Sequence, residues 1–593
     1  MPHQHHSFHI PVMGTGFTID TPLRVARYGI SSVISLVDDT LLEQVRRYHC
    51  EKNTLPYEAI STRDHDPRAH RVTAYLNLID HLVARQVLAL QASPFKKGSE
   101  ITRYFEMLPE SELKEAYRGM LAAAETRDKT ARQDRLRTLA TPGDIDVNIM
   151  TKLDCADRRR GGDSGPEYTD AMAALRGFAN SNLNSAIIFS AGINPRLYSY
   201  AGRFKDFFPD PEGRFKKRII LKVSDFRSAA TQSKFLAKRG LWVSEYRVES
   251  GLNCGGHAFA TPGHLLGPVL EEFTRKKQEL IERLQSIYVK ALKGLGRPLG
   301  RVPSAIRITV QGGIGTAIEN DFLLKYYHVD STGWGTPFLL VPEATNVDQA
   351  HIEKMINARP DDVFLSDSSP LGISFWNLRT SDSEENRRRL IREDKPGSSC
   401  PKGYAALNQE FAGKPVCRAS AAYIRRRLTH LPEENLSQEQ QADIREKVLG
   451  KTCICRDLAG GVALKYDLDP EAKPSVCCGP NIVNFYRTAT IEEMVAHIYG
   501  RLSLLRNNNR PHMFIQELRL HVDQLRKDMR NLSLEISVRP NEYFANFKAN
   551  LLSGIEYYRD LAGRFIEEQS DRFLEDLKAL QREVELAMVP VKA

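Results

Sequence analysis

Short apolar runs bounded by turn residues recur along residues 8–346, and the stretches between them carry helix-type patterning. The runs are Ile10-Pro11-Val12-Met13, Ser32–Leu36, Asp144–Met150, Ser185–Ser190, Arg218–Val223, Leu241–Ser244, Ile306–Val310 and Val329–Gly333. A four- to seven-residue apolar run that alternates with helices finds its hydrogen-bond partners most readily in a parallel sheet covered by those helices. The first unit shows the grammar: an extended Ile10–Met13, a turn at Gly14-Thr15-Gly16, a helix start at Asp20-Thr21-Pro22, a stop at Gly29 and a second strand from Ser32. The alternation predicts an α/β fold, a (β/α)8 TIM barrel over residues 8–346.

Two regions depart from the alternation. Residues 51–140 read as a helical insertion, placed after the second strand and expected to form a lid at the barrel mouth. Residues 347–489 form a mixed, cysteine-containing region, and residues 490–593 are helical. There Leu518, Val522, Leu525 and Met529 mark one apolar stripe, and Phe544, Phe547, Leu551 and Tyr558 another. Packing within the chain is the expectation for both, with a homo-oligomer through these helices as the alternative.

Composition excludes several classes. Hydrophobic residues at 41% and charged residues at 26% are ordinary for a globular protein and too balanced for a disordered or fibrous one. No run is long and apolar enough to span a bilayer, and no leader pattern opens the chain, so a cytoplasmic protein is expected. The histidines of Met1–His6 read as a flexible tail without a function. A net charge of +9, with arginine clusters at 158–160, 387–389 and 425–427, suits solvated faces and tolerates anionic partners, cofactor phosphates and RNA included.

Three motifs carry chemistry. Val310-Gln311-Gly312-Gly313-Ile314-Gly315-Thr316 follows an apolar strand and precedes a helix at Glu319–Tyr327, so glycine N–H groups and a helix N-terminus meet where an anion can approach. One strand later, Asp330–Gly333 ends in Trp334-Gly335-Thr336-Pro337-Phe338. Two such loops after the last two strands of a barrel form the common phosphate site of this fold. The third is Glu249-Ser250-Gly251-Leu252-Asn253-Cys254-Gly255-Gly256-His257, where a histidine beyond a strand end can act as base, acid or hydrogen-bond donor to a bound ring.

In this order the Met13-Gly14 strand end, the Val147-Asn148 strand, the Gly-Gly-His element and the two glycine loops resemble the FMN-dependent nitronate monooxygenases. They resemble more loosely the flavin barrels of enoyl reductases and glutamate synthase. The resemblance spans residues 8–346, broken by the insertion. It implies an FMN-dependent oxidoreductase acting on a small molecule. Met13, Gly14, Asn148, Gly255 and Gly256 would lie near the flavin, Gly312, Gly313, Gly335 and Thr336 would hold the phosphate, and His257 would face the substrate. Lys222 would place positive charge near the reduced ring. The family's Glu-Ala pair before Gly-Gly-His is Asn253-Cys254 here, so the barrel and its cofactor carry over without the identity of the substrate.

Six of the nine cysteines crowd into residues 400–478. Cys453, Cys455 and Cys477, with Cys417 or Cys400, offer thiolates for an iron–sulfur cluster feeding electrons to the flavin. Zinc and unligated packing stay open beside it. Two other functions also stay open: a flavin-dependent reductase that modifies RNA, and a non-catalytic barrel that assembles a complex.

Overall fold

The computed structural model describes residues 5–156, 165–190, 192–253, 262–399, 402–411, 413–506, 510–533, 539–565 and 570–587. Its centre is a closed barrel of eight parallel strands: β1 Phe8–Ile10, β2 Ser31–Ser35, β3 Ile145–Met150, β4 Ser185–Ser190, β5 Lys217–Val223, β6 Val243–Glu249, β7 Arg307–Gln311 and β8 Ser331–Gly333. Each strand pairs with the next, and Phe8 and His9 pair with Thr332 and Gly333 to close the ring. The predicted (β/α)8 fold is present, and all eight predicted strands occur. Two are displaced. β1 ends at Ile10 because Pro11 has no N–H to give to a ladder. β6 runs on to Glu249, past the expected end at Ser244.

Period-two alternation explains why charged residues fit inside β6. Ile219, Leu221, Val223, Tyr246, Val248, Ile308 and Val310 face the surrounding helices in one continuous apolar core. The opposite residues point into the barrel. Val33, Ala186, Ile188 and Ile220, with Val12, fill its waist. Below them Arg247 is paired with Glu245 at 2.7 Å, and Thr309 donates to the same carboxylate at 2.7 Å. Burial alone would raise the Glu245 carboxyl, but the Arg247 and Arg307 guanidiniums outweigh it and hold it at about 2. At the carboxyl ends the inward series closes on polar groups: Asn148, Ser190, Lys222, Glu249 and Gln311. The fold thereby turns a ring of polar side chains toward one end of the barrel.

The helical insertion is real but sits elsewhere than expected. The helix Pro67–Ala92 packs on Asp170–Asn180, where Gly177 leaves room for Val72 and the Ala69 carbonyl. The shorter helices Glu100–Met107, Glu112–Ala122 and Arg127–Leu139 follow. The Tyr104 hydroxyl donates to the Thr141 carbonyl at 3.1 Å, just before β3, and Tyr104 also lies against Gly29, just before β2. The first of these short helices thus covers the amino ends of the strands, opposite to a lid. His6 corrects a second expectation. It is buried, bonded to the Tyr499 hydroxyl at 2.9 Å and the Tyr28 carbonyl at 3.2 Å, and burial lowers its pKa to about 3. The sixth residue is an anchor and not part of a tail.

The mouth is covered by the carboxyl-terminal third. An antiparallel pair, β9 Val363–Ser366 and β10 Phe375–Leu378, leads into helices that end with Met513–Ser533, Asn541–Phe565 and Ser570–Leu586. Both predicted stripes are turned inward: Leu518, Val522, Leu525, Phe544, Phe547, Leu551 and Tyr558 are buried, with Met529 packed beside them. Phe514 stacks on Tyr558 at 4.7 Å. These residues belong to the same apolar core as the barrel strands, so removing residues 347–587 would expose a large apolar face. Among the described residues no helix is long and apolar enough to cross a membrane.

Candidate functional site

A cavity of about 540 Å³ lies over the carboxyl ends of the strands. That is within the span of roughly 300–1,000 Å³ usual for small-molecule and cofactor sites. Its floor is built by the barrel, from Gly14, Ser35, Asn148, Ser190, Lys222 and Glu249. Its roof is built by residues far along the chain, including Phe375, Leu458, Cys477, Glu517 and His521.

The floor is polar and largely self-satisfied. Lys222 Nζ pairs with Glu249 Oε1 at 2.8 Å, Gln311 Nε2 donates to the same oxygen at 2.7 Å, and Asn253 donates to it as well. Lys222 is therefore a compensated cation fixed by three elements. Asn148 Nδ2 donates to Ser190 Oγ at 3.2 Å, whereas Asn148 Oδ1 is buried without a hydrogen-bond partner among the described residues. An orphaned acceptor of that kind costs about 1–3 kcal/mol unless something in the cavity donates to it. Gly14 takes a left-handed φ of 54°, and a Cβ there would meet Phe17 and the Leu458 carbonyl.

The two glycine turns stand side by side, because Gln311 and Gly333 are register partners in β7 and β8. Gly312 and Gly313 have φ of 109° and 84°, conformations that L side chains rarely adopt. Among the described residues no acceptor meets the N–H groups of Gly312, Gly313, Gly335 or Thr336. The buried Arg510 guanidinium borders this loop. It bonds the Gly313 carbonyl at 3.0 Å and Glu319 at 2.8 Å, and its Nε–H has no acceptor among the described residues. Glu319 itself takes the Gly315 N–H at 2.9 Å, so the helix N-terminus is capped by its own carboxylate. Thr336 Oγ1 accepts from the Gly479 N–H at 3.1 Å. Between these turns and the cavity runs Ser250–Asn253, with Leu252 lying where a Gly313 side chain would be.

The roof contributes the groups that sequence reasoning missed. Glu517 Oε2 accepts from the Leu266 N–H at 2.8 Å, and the Tyr558 hydroxyl points to the same oxygen at 3.5 Å. Burial pushes this carboxyl up to about 8, against those two hydrogen bonds. His521, one turn further, is pushed down to about 4 by burial. Both are uncharged near neutral pH. The one available signal was their spacing of four on the edge of the Leu518 stripe.

Of the expected site residues, Gly14, Asn148 and Lys222 share the cavity, and Gly312, Gly313, Gly335 and Thr336 share the adjoining rim. Met13 is buried beneath, its N–H donated to Thr18 at 3.3 Å, and does not line the cavity. Gly255, Gly256 and His257 lie outside the described residues, as do Cys254 and Cys400. The expected metal set Cys417, Cys453, Cys455 and Cys477 is not gathered into one group. Cys417 and Cys455 sit in a small apolar cluster with Leu153 and Tyr404, and Cys477 lies in the main core facing the cavity. Among the described residues no three of His, Cys, Asp or Glu are grouped to hold a metal ion.

Fold and site together define a (β/α)8 barrel protein with a ligand-sized cavity at the carboxyl end of its strands. No protein-family model matches the chain, and no curated protein sequence matches it. Solved structures similar to it include the enoyl reductase domain of MlnA from the macrolactin biosynthesis cluster of Bacillus amyloliquefaciens. That match has 14% identity and a TM-score of 0.35, over 70% of this chain and 89% of that one. FabK from Thermotoga maritima matches at 13% identity and a TM-score of 0.31, over 68% and 86%. Nitroalkane oxidase from Streptomyces ansochromogenes matches at 12% identity and a TM-score of 0.29, over 63% and 85%.

Proposed function

We propose that the chain is an FMN-dependent oxidoreductase of the nitronate monooxygenase-like barrel type, acting on a small molecule held over the barrel mouth. The observation that carries the reading is the adjacency of two features: a polar-floored cavity, and a pair of glycine turns whose N–H groups meet no acceptor among the described residues. The residues fit the cofactor. Gly312, Gly313, Gly335 and Thr336 would hold its phosphate, with Arg510, whose charge is matched by Glu319, offering its Nε–H beside them. The orphaned Asn148 Oδ1 would accept from its ring, above the fixed charge of Lys222. When bound, FMN supplies exchange of a hydride or an electron pair.

This chain's own residues do the rest. The Lys222–Glu249–Gln311 network keeps the floor rigid, so a bound molecule meets prearranged dipoles and not mobile side chains. The roof, from Phe375 to His521, covers the floor and lowers the exposure to water of the polar contacts beneath it. A molecule reaching both cavity and rim has to move Leu252 aside.

The test is uptake of FMN by the full chain. Flavin absorbance that stays with the protein through gel filtration, and is released as FMN on denaturation, is the expected result. A protein that stays colourless after incubation with excess FMN removes the reading.

A further inference from the structure

Glu517 is a buried acid in the cavity lining that the proposed chemistry leaves unused. It comes from Met513–Ser533, far from any barrel strand in sequence, yet it lines the same cavity as Asn148 and Lys222. The helix packs so that one carboxylate oxygen is fully engaged. Oε2 receives the Leu266 N–H from the start of Leu266–Gly294 and faces the Tyr558 hydroxyl from Asn541–Phe565. Oε1 makes no hydrogen bond among the described residues. Among the described residues no arginine or lysine pairs with this carboxyl, unlike Glu249, Glu245 and Glu319, each of which has its own cation.

We propose that Glu517 is a substrate-binding residue, a neutral carboxylic acid that donates a hydrogen bond from Oε1 to a carbonyl oxygen of the molecule held in the cavity. The proposal rests on the functional reading above only in taking the cavity as the substrate site. Both bonds at Oε2 are received there, so the proton resides on Oε1. An acid kept uncharged by its surroundings is a stronger donor than an amide or hydroxyl, and it needs an oxygen acceptor. The acceptor is a neutral carbonyl and not a free carboxylate, because the floor cation Lys222 is already compensated by Glu249. The groups facing the carboxyl are Tyr558 from the helix Asn541–Phe565, His521 on Glu517's own helix, and, across the cavity, His264, Asp225, Lys222 and Glu249. Burial raises Glu517 to about 8 and holds His521 at about 4, so Glu517 is the group that titrates just above neutrality.

The experiment uses the full chain and the neutral ketone p-dimethylaminoacetophenone, whose absorption moves to longer wavelength when its carbonyl accepts a hydrogen bond. The wild-type protein is expected to bind it with a shifted spectrum at pH 7 and to lose the shift as pH rises through about 8. Glu517→Gln keeps a donor without a titration, so the shift should persist at every pH. Glu517→Leu has no donor, and its affinity should fall about five- to a hundredfold with no shift. Infrared spectra without ligand should show a protonated-carboxyl band at pH 7 that is missing from Glu517→Gln. An unshifted probe on the wild-type protein, a shift that survives in Glu517→Leu, or a pH dependence that survives in Glu517→Gln each overturns the assignment. FMN content is measured on the same samples, so failure of the flavin reading registers separately from failure of the Glu517 assignment.

Discussion

Gly313→Ala separates the two halves of the proposed cofactor site. With phosphate in the rim, the N–H groups of Gly312 and Gly313 each make a charge-assisted hydrogen bond worth about 1.5–3 kcal/mol. Together they favour FMN over riboflavin by about 3–6 kcal/mol, or roughly a hundred- to ten-thousandfold in Kd. The added methyl would meet Leu252 Cδ1 at 2.6 Å at a φ of 84°. Leu252 can swing away, but the left-handed backbone costs about 1–2 kcal/mol and turns the N–H from its present direction. The expected outcome is a Kd ratio of riboflavin to FMN that falls at least about tenfold, with riboflavin affinity itself nearly unchanged. Quenching of flavin fluorescence during titration with protein measures both constants, and urea unfolding accounts for the backbone cost. Equal affinity of the wild-type protein for riboflavin and FMN would refute the reasoning, as would an equal loss of both ligands in the variant.

Two further changes probe the scaffold. Asp20 is buried among Arg24, His49, Tyr466 and Asn346. Burial raises its carboxyl, but Arg24, His49 and Tyr466 outweigh this and hold it far below its ordinary value of 3.8. Its stabilisation is therefore complete above that value and lost as pH falls below it. Asp20→Asn should cost about 3 kcal/mol at neutral pH and flatten the acid limb of urea unfolding. Gly177→Ala would set a Cβ at 2.6 Å from the Ala69 carbonyl and from Val72 Cβ. A backbone atom cannot swing aside, so thermal unfolding should register a loss of about 1–3 kcal/mol, with FMN uptake intact.

The strands were legible because outward-facing Val, Ile and Leu recur at period two next to glycine and asparagine turns. The full length of β6 was not. Glu245 and Arg247 look like surface residues in one dimension and become interior ones only when Thr309 and Arg307 of the next strand sit beside them. The glycine turns were visible as punctuation, and their adjacency follows from strand order. What surrounds them was not visible: Arg510 and Gly479 arrive from distant segments, and Leu252 comes in from the loop after β6. The insertion was recognised as helical, but which end of the barrel it would cover depended on contacts such as Tyr104 with Thr141. The His6 anchor was hidden because its partner, Tyr499, is hundreds of residues away. Glu517 was hidden because a polar residue flanking an apolar helical stripe ordinarily faces water.

The roof of the cavity, supplied by Met513–Ser533, also sets a schedule for synthesis. On the ribosome the ring of strands can close once β8 has emerged to meet β1, while the segment bearing Glu517 is still untranslated. During that interval the floor of Asn148, Lys222 and Glu249 stands open to solvent. Until the last helices dock, the approach to that floor is free of Glu517 and His521, and their docking then narrows it.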